Sequence, residues 1–228
     1  MSSKLIIFGS AEIAELAHFY FHNDSDFEVV GFTVDDEFVE SDSFLGLPLI
    51  PFSKVKKYYP PSDYSMHVAL SYMQLNKLRE KKYYEAKALG YELSSYLSSH
   101  SSYWSDLSIG ENCFILENQN IQPTVKIGNN VVLWSGNHLG HGSVIQDHAY
   151  ISSHVVISGH CTVGCRTFIG VNSTVKDFTS IGDDCFIGMG SVIASDMKSG
   201  SVSLAASSSI LDGDDRRAQF LKRKYFKL

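Results

Sequence analysis

The sequence lacks three features that would each point to a particular class of protein. It has no run of 18 apolar residues, so we expect no membrane-spanning helix. It has no excess of basic residues, and its net charge of −6 argues against nucleic acid as the main partner. It has only four cysteines, and Met1–Lys4 leads directly into a predicted strand, so we expect a cytoplasmic protein without a signal peptide. A globular protein of 228 residues remains, long enough for two modest domains.

The second half of the chain contains an unbroken six-residue repeat. Every sixth position is Ile, Leu or Val, namely Ile109, Ile115, Ile121, Ile127, Leu133, Leu139, Ile145, Ile151, Ile157, Val163, Ile169, Val175, Ile181, Ile187 and Ile193. A mostly small residue follows each aliphatic residue after four positions, which predicts a short strand followed by a corner. Because three such units form one triangular coil, the repeat predicts a parallel β-helix of about five coils.

This pattern resembles the left-handed parallel β-helix of the hexapeptide-repeat acyltransferases. The left-handedness is implied by the resemblance and not by the period. The resemblance also implies a homotrimer, with acyl-CoA lying between neighbouring prisms.

The first hundred residues alternate between strands and helices. Lys4–Gly9, Phe27–Val34 and Ser65–Ser71 are predicted strands, and Tyr91–Leu97 is a further one. Helices are predicted after Ser10, which could cap the first of them, and over 76–89. This order predicts a small α/β domain of the Rossmann-like, dinucleotide-binding type.

A partial phosphate-binding motif follows the first strand. Gly9, Ser10 and Ala11 begin the stretch where a G-x-G-x-x-G motif would lie, but only the first glycine is present. Asp35 and Asp36 supply the acid expected about 20 residues later. The motif favours a nucleotide diphosphate over NAD, with the pyrophosphate bound at the start of the first helix and the acids contacting base or ribose. A solvated strand end remains an alternative for the two acids.

An α/β domain joined to a short prism resembles the bacterial nucleotide-sugar acyltransferases, including the bacillosamine and perosamine N-acetyltransferases and the sialic acid O-acetyltransferase. In that group the first domain binds the nucleotide. The segment 69–79 resembles the strand, loop and helix after their third strand, so Arg79 either reaches a phosphate or is a surface cation. We predict domains at 1–103 and 104–198, with 98–108 as a linker. The tail at 199–228 is predicted to contain a short basic helix, either solvated, docked on the prism or near CoA.

Five of the nine histidines lie between residues 138 and 160. His148, His154 and His160 are six residues apart and are therefore expected on three successive faces of the prism, where they cannot converge on one metal ion within a chain. No histidine pair has the five-residue spacing of the zinc-binding relatives, so we expect no metal.

His141 matches the position of the general base in the sugar acyltransferases, with His138 as the second candidate. An unassigned corner residue is the alternative for either. Gly159 occupies the stacked position one coil after His141 and would leave a slot for a thioester. We expect Ser158, Gly159, Asn172 and Lys176 to contact CoA. The bacillosamine enzymes have an acid directly after this histidine, where this sequence has Gly142, so the group that orients His141 must be another residue, a neighbouring chain or a backbone carbonyl.

The sequence thus predicts an acetyl-CoA-dependent N-acetyltransferase acting on a nucleotide-linked deoxyamino sugar for surface polysaccharide. The expected mechanism is direct transfer with His141 as base. An O-acetyltransferase of the sialic acid type and a non-catalytic nucleotide-sugar-binding prism are the alternatives.

Overall fold

The first domain is a small α/β sheet, seen in a computed structural model that describes residues 3–227. The sheet has the strand order β3-β4-β2-β1-β5, and all neighbours are parallel except β3 and β4. Its elements are β1 (Ser3–Phe8), α1 (Glu12–Asn23), β2 (Phe27–Val34), β3 (Ser43–Phe44), β4 (Leu47–Pro51), α2 (Val55–Tyr58), β5 (Ser65–Val68) and α3 (Lys77–Ala88). The predicted α/β class is confirmed, whereas the hairpin β3–β4 and the short α2 were not foreseen.

A further strand of the α/β sheet was expected over Tyr91–Leu97, and this prediction is wrong because the only strand in that segment pairs with the prism. Leu93 makes one isolated bridge to Met66, but β6 (Tyr96–Leu97) leaves the domain and pairs with Phe114–Ile115 of the prism. The reason is the coil register, since β6 lies one full coil before that strand and Leu97 packs against the prism core. The prism ladder therefore begins before the segment that was predicted as a linker.

The repeat forms fifteen two-residue strands, each parallel to the strand one coil away. They are β7 (Ser108–Ile109), β8 (Phe114–Ile115), β9 (Asn120–Ile121), β10 (Lys126–Ile127), β11 (Val132–Leu133), β12 (His138–Leu139), β13 (Val144–Ile145), β14 (Tyr150–Ile151), β15 (Val156–Ile157), β16 (Thr162–Val163), β17 (Phe168–Ile169), β18 (Thr174–Val175), β19 (Ser180–Ile181), β20 (Phe186–Ile187) and β21 (Val192–Ile193). The predicted left-handed parallel β-helix is confirmed. Its aliphatic period fills the core, because every repeat aliphatic residue from Ile115 to Ile193 is at most 5% exposed.

The prism has three faces, which we name by their surroundings. The docked face is formed by β6, β8, β11, β14, β17, β20 and a late strand, β22 (Val202–Ser203). The front face is formed by β9, β12, β15, β18 and β21, and the back face by β7, β10, β13, β16 and β19. Three corners join the faces. The anchor corner lies between the back and docked faces (110–113, 128–131, 146–149, 164–167, 182–185), the side corner between the docked and front faces (116–119, 134–137, 152–155, 170–173, 188–191), and the free corner between the front and back faces (122–125, 140–143, 158–161, 176–179).

One residue of nearly every corner has a left-handed backbone, which explains much of the histidine pattern. His148, His154 and His160 have φ values of 65°, 59° and 57°. Asn, Gly and His tolerate this region better than most residues do. The six-residue spacing of these histidines therefore follows from corner geometry.

The first domain packs on the docked face and on the two corners that flank it. Phe114, Val132 and Tyr150 of that face share one apolar cluster with Ala14 and Phe21 of α1. Beyond the prism, α4 (Arg216–Phe226) forms the basic helix of the tail, capped by Asp215, whose side chain accepts hydrogen bonds from two backbone N–H groups. The last residue of the predicted tail, Leu228, lies outside the described residues.

Candidate active site

His141 lies exposed on the free corner, in a turn whose backbone requires glycine on both sides. A Cβ atom on Gly140 would lie 2.4 Å from the backbone N of Gly159. Gly142 has a φ of +68°, and a Cβ atom there would lie 2.6 Å from His160 Nδ1. The sequence Gly-His-Gly therefore presents one imidazole on a tightly packed corner.

The His141 ring is held by Gln122 from the preceding coil. Gln122 Oε1 lies 2.8 Å from His141 Nδ1 and 2.8 Å from the His141 backbone N. Neither the motif nor the period drew attention to Gln122 as a functional residue. The available signal was its place in the repeat, one coil and one further position before His141.

Gly159 forms the floor beneath the imidazole. A Cβ atom on Gly159 would lie 2.9 Å from His141 Cε1 and 3.1 Å from Nε2, which is too close without displacing the ring. Ser158 is next to it and accepts a hydrogen bond from Ser143 through its carbonyl. Two of the predicted CoA-contacting residues are thus brought beside His141.

Two further rings continue the free corner above His141. His160 meets the His141 ring edge-on at a centroid distance of 4.8 Å, and Phe178 stacks on His160 at 4.9 Å. Phe178 is 73% exposed. Together the three rings and the exposed Lys176 form a surface along one edge of the prism.

The remaining candidates of the prism lie apart from this surface or at its margin. His138 is half-buried on the front face, in register with Asn120 and Val156. Asn172 lies on the side corner with a left-handed backbone, so within one chain it is not grouped with His141. A CoA contact by Asn172 would have to involve a ligand that also reaches that corner.

A pocket of about 740 Å³ opens on the first domain at the carboxyl ends of its parallel strands. Gly9, Ser10, Ala11 and Asp35, four of the residues predicted to bind the nucleotide, line it. Gly9 is required here because its φ is +135° and a Cβ atom would lie 2.8 Å from the Ala69 carbonyl oxygen. Crevices at this edge of an open α/β sheet are where such folds bind ligands.

The start of α1 is not capped by Ser10, contrary to expectation. Ala11 is the N-cap residue, and no side chain accepts a hydrogen bond from the first turn. Because Ser10 precedes the cap, its hydroxyl is not positioned for that role. Uncapped N–H groups at a helix start suit an anion, since the helix dipole favours negative charge there.

The two acids after β2 have different environments. Asp35 forms an ion pair with Lys82, with 2.6 Å between Oδ1 and Nζ. Burial alone would lower the pKa of Lys82, but its hydrogen bonds to Asp35 and Glu85 outweigh burial and raise it. Asp36 instead accepts hydrogen bonds from the Ser53 N–H and hydroxyl, which lower its pKa, and it is absent from the pocket lining. Lys82 is thus a pocket cation that the sequence reasoning missed.

The interpretation of Arg79 as a phosphate ligand or surface cation is wrong. Its side chain is 1% exposed, and its guanidinium donates to backbone carbonyls of the anchor corner, among them Asn130 and His148. It also donates to the Asn76 amide oxygen, and burial lowers its pKa to about 10. The physical reason is that the corner turns supply carbonyl oxygens that satisfy the guanidinium when α3 docks. Arg79 therefore joins the two domains.

The pocket and His141 lie on different sides of the molecule. The first domain contacts the docked face and both corners flanking it, for example through Tyr20 and Glu117 on the side corner and Arg79 and Asn130 on the anchor corner. The free corner lies opposite the docked face of the triangular prism. The docked face therefore lies between the first domain, which contains the pocket, and His141 of the same chain.

Between Ser3 and Lys227, no group of three or more His, Cys, Asp or Glu side chains could hold a metal ion. Over the same range, each helix is too short or too polar to cross a membrane.

The prism matches a known repeat family. Residues 124–159 and 160–195 match the family model of the bacterial transferase hexapeptide with six repeats, which confirms the predicted resemblance for this region. The acyl-[acyl-carrier-protein]–UDP-N-acetylglucosamine O-acyltransferase of Sinorhizobium fredii is 32% identical over 105 residues, which cover 43% of this chain. The match spans only 39% of that relative's length.

Solved structures share the fold over most of the chain. The acetyltransferase domain of PglB from Neisseria gonorrhoeae, in complex with acetyl coenzyme A, superposes with a TM-score of 0.74 at 19% identity and covers 89% of this chain and 96% of its own. A variant of perosamine N-acetyltransferase from Caulobacter crescentus, in complex with CoA and GDP-perosamine, gives 0.78 at 18% identity, with coverage of 92% and 97%. WeeI from Acinetobacter baumannii gives 0.71 at 18% identity, with coverage of 91% and 99%. At these identities the likeness establishes the shared two-domain fold.

Proposed function

We propose that this chain, whose prism is built from bacterial transferase hexapeptide repeats, is an acetyl-CoA-dependent N-acetyltransferase acting on a nucleotide-linked amino sugar. The observation that carries the proposal is the free corner, where His141 is held by Gln122 and lies against Gly159. An exposed, oriented imidazole beside a residue without a side chain suits a base that must approach a thioester. The proposed pathway is surface polysaccharide synthesis, using cytoplasmic acetyl-CoA.

The proposed chemistry is a direct transfer. The sugar amine attacks the carbonyl carbon of acetyl-CoA, and His141 Nε2 accepts a proton from the nitrogen as the bond forms. The carbon–sulfur bond then breaks, and His141 returns the proton to the thiolate, giving CoA and the amide. The Gly159 N–H is our candidate donor to the oxyanion of the tetrahedral intermediate.

The proposed nucleotide site is the pocket of the first domain. The uncapped start of α1 at Ala11 would bind the pyrophosphate, and Asp35 with Lys82 would border the nucleoside. The bound GDP-perosamine of the Caulobacter enzyme supports a nucleotide-linked amino sugar as the ligand class. The aromatic side chains Phe38 and Phe44, which line the same pocket, supply apolar surface for a base.

We further propose a homotrimer in which each site combines the pocket of one chain with His141 of its neighbour. The opposite placement of the pocket and the free corner supports this arrangement. So do the exposed apolar side chains on the front face and free corner, since Val156, Val192 and Phe178 are 40%, 77% and 73% exposed. A neighbouring prism would cover them.

The first test measures CoA release with a thiol reagent, using acetyl-CoA and UDP-, dTDP- and GDP-linked amino sugars. We expect turnover with one acceptor and a loss of about 10²–10⁴-fold in kcat for His141→Ala, the usual contribution of a general base. His138→Ala is the matched control and should retain most activity. Equal turnover in wild type and His141→Ala would contradict the proposed base.

A second test asks whether the site lies between chains. Ala11→Asp puts a favourable capping residue at the start of α1 while placing negative charge where the pyrophosphate would bind, so it should fold and lose nucleotide-sugar binding. Co-expression of equal amounts of Ala11→Asp and His141→Ala should restore about a quarter of the wild-type rate. A working site needs its pocket from a His141→Ala chain and its His141 from an Ala11→Asp chain, and each condition is met about half of the time. No recovery in verified mixed trimers would contradict a shared site.

O-acylation is the second candidate. It is favoured by the 32% identity to the UDP-N-acetylglucosamine O-acyltransferase of Sinorhizobium fredii. The acceptor panel separates the two reactions, because a hydroxyl analogue of the amino sugar would then be the better substrate. Alkaline hydrolysis of the product would release acetate from an ester but not from an amide.

A further inference from the structure

We infer that Gln122 is the positioning residue that fixes the tautomer of His141 and leaves its Nε2 free to accept a proton. The role of Nε2 as a base rests on the proposed function, whereas the choice of tautomer does not. The geometry itself is independent of the reaction.

The amide orientation of Gln122 follows from its two partners. One partner is the backbone N of His141, which can only donate, at 2.8 Å. The atom facing it must therefore be the carbonyl oxygen Oε1 and not the NH₂ group. This removes the usual ambiguity between the two ends of a glutamine amide.

The orientation of the amide then determines the proton on the ring. The same Oε1 lies 2.8 Å from His141 Nδ1, and an oxygen acceptor needs an N–H donor there. The neutral ring is thus the Nδ1–H tautomer, with its lone pair on Nε2. Gly159 lies beneath Cε1 and Nε2, so the basic nitrogen points over the slot where a thioester could lie.

The local backbone also explains why a residue from another coil does this work. The position after His141 is Gly142, with a φ of +68° and no room for a Cβ atom beside His160 Nδ1. An acid in that position would be strained and would collide with His160. Gln122 reaches the ring from the preceding coil without using that position.

The chain contains a matched control for this arrangement. Gln146 occupies the same place in its repeat on the anchor corner and stands in the same relation to Cys165 of the next coil, with 3.6 Å between Oε1 and Sγ. Gln146→Leu therefore removes an equivalent amide from an equivalent turn without touching His141.

The test compares Gln122→Leu, Gln122→Glu and Gln146→Leu with wild type. We expect Gln122→Leu to lower kcat at least about tenfold, but less than His141→Ala does, with an unchanged KM for acetyl-CoA. Gln122→Glu should retain kcat and move the acid limb of the kcat/KM profile up by about 1 pH unit, because the carboxylate favours the imidazolium. His160 is the titratable ring that packs on His141, with Lys176 and Asp177 further along the corner, so each profile is repeated in a His160→Gln background.

Nitrogen-15 NMR of the His141 ring is the second readout and needs no turnover. Wild type, Gln122→Glu and Gln146→Leu should show the Nδ1–H tautomer, and Gln122→Leu should lose it. The inference would be overturned if Gln122→Leu kept both the wild-type tautomer and the wild-type kcat. If that variant does not fold, a pH profile of kcat/KM in Gln122→Glu identical to that of wild type would overturn it instead. If no acceptor turns over in any protein, the proposed function fails, while the ring signals still decide whether Gln122 selects the tautomer.

Discussion

The anchor corner and the free corner have the same backbone but opposite surroundings. His148 and His160 occupy the same repeat position, with φ values of 65° and 57°. His148 is 2% exposed beneath Tyr83 and Tyr84 of α3, and burial lowers its pKa. His160 is exposed and packs edge-on against His141. The difference shows that the repeat determines the backbone conformation of a corner residue, whereas the neighbouring domain determines its burial and its contacts.

At the left-handed position of the anchor corner, polar side chains from successive coils form a buried hydrogen-bonded ladder. The Asn112 side-chain amide donates to Asn130, and Asn130 is hydrogen-bonded to His148 at 2.9 Å. The free corner has Thr124, Gly142, His160 and Phe178 at the same positions, with no first domain over them. One corner therefore contributes stability, and the other is available for ligands.

The largest expected effect comes from breaking the anchor corner at Arg79. Arg79→Met leaves the carbonyl oxygens of Asn130 and His148 without their buried donor, so we expect the free energy of unfolding to fall by about 3 kcal/mol or more. Urea unfolding measures this. The control is Lys77→Met on the same helix, whose cation is 60% exposed and should change stability by less than about 0.5 kcal/mol. Equal effects of the two substitutions would refute the distinction between a buried anchor and a surface cation.

Sequence reasoning predicted the core of this fold better than its contacts between domains. The aliphatic period from Ile109 to Ile193 fixed strands, faces and corners, because burial follows directly from a regular repeat. It missed β6, since Tyr103 occupies the repeat position between Leu97 and Ile109 and interrupts the period. Arg79 could not be assigned, because the carbonyls that satisfy it belong to turns that are distant in the sequence and adjoin α3 only after the domains dock.

The candidate site shows the same limit. His141 was selected by the resemblance to the sugar acyltransferases, and the regular coil length then placed Gly159 beside it in the adjacent coil. Gln122 was not found, because its contact is a side chain reaching along a coil, and a pattern of residue types does not specify rotamers. The opposite placement of the pocket and the free corner depends on how the domains dock, which no periodicity encodes.

The second prediction concerns the pH dependence of stability, which we expect to depend on a buried histidine next to the docked face. His67 packs against Phe114 of the docked face, and burial lowers its pKa to about 4. The unfolded chain binds this proton below about pH 6.5 while the folded chain does not, so stability falls as the pH drops from 6.5 to 4, by about 3 kcal/mol from this group. Urea unfolding between pH 7.5 and 4.5 should show a shallower slope for His67→Gln. A slope in His67→Gln as steep as that of wild type would contradict the assignment.

The third prediction acts on the free corner alone. A methyl group at Gly159 would lie 2.9 Å from His141 Cε1, and the exposed ring can move aside. Gly159→Ala should therefore lower kcat about 10²-fold through misplacement of the ring, with the unfolding free energy nearly unchanged. Gly46→Ala tests the reverse case, since nothing lies within 4 Å of that glycine and its φ of +78° should cost stability without affecting turnover. Loss of stability in Gly159→Ala would mean that the free corner is also a structural element.

The smallest effect is expected from giving the free corner a residue of the anchor corner. Phe178 has a φ of 58°, where the anchor corner uses Asn112 and Asn130, and an L-residue such as Phe is strained there by roughly 1 kcal/mol. Phe178→Asn relieves this strain and loses the exposed stack on His160, which is worth about 0.5 kcal/mol or more. We therefore expect a gain in stability of a few tenths of a kcal/mol by urea unfolding. A rise in the KM for acetyl-CoA together with that gain would show that the strained ring is kept for ligand contact. A fall in the unfolding free energy of more than about 1 kcal/mol would instead show that stacking on His160 outweighs the backbone strain.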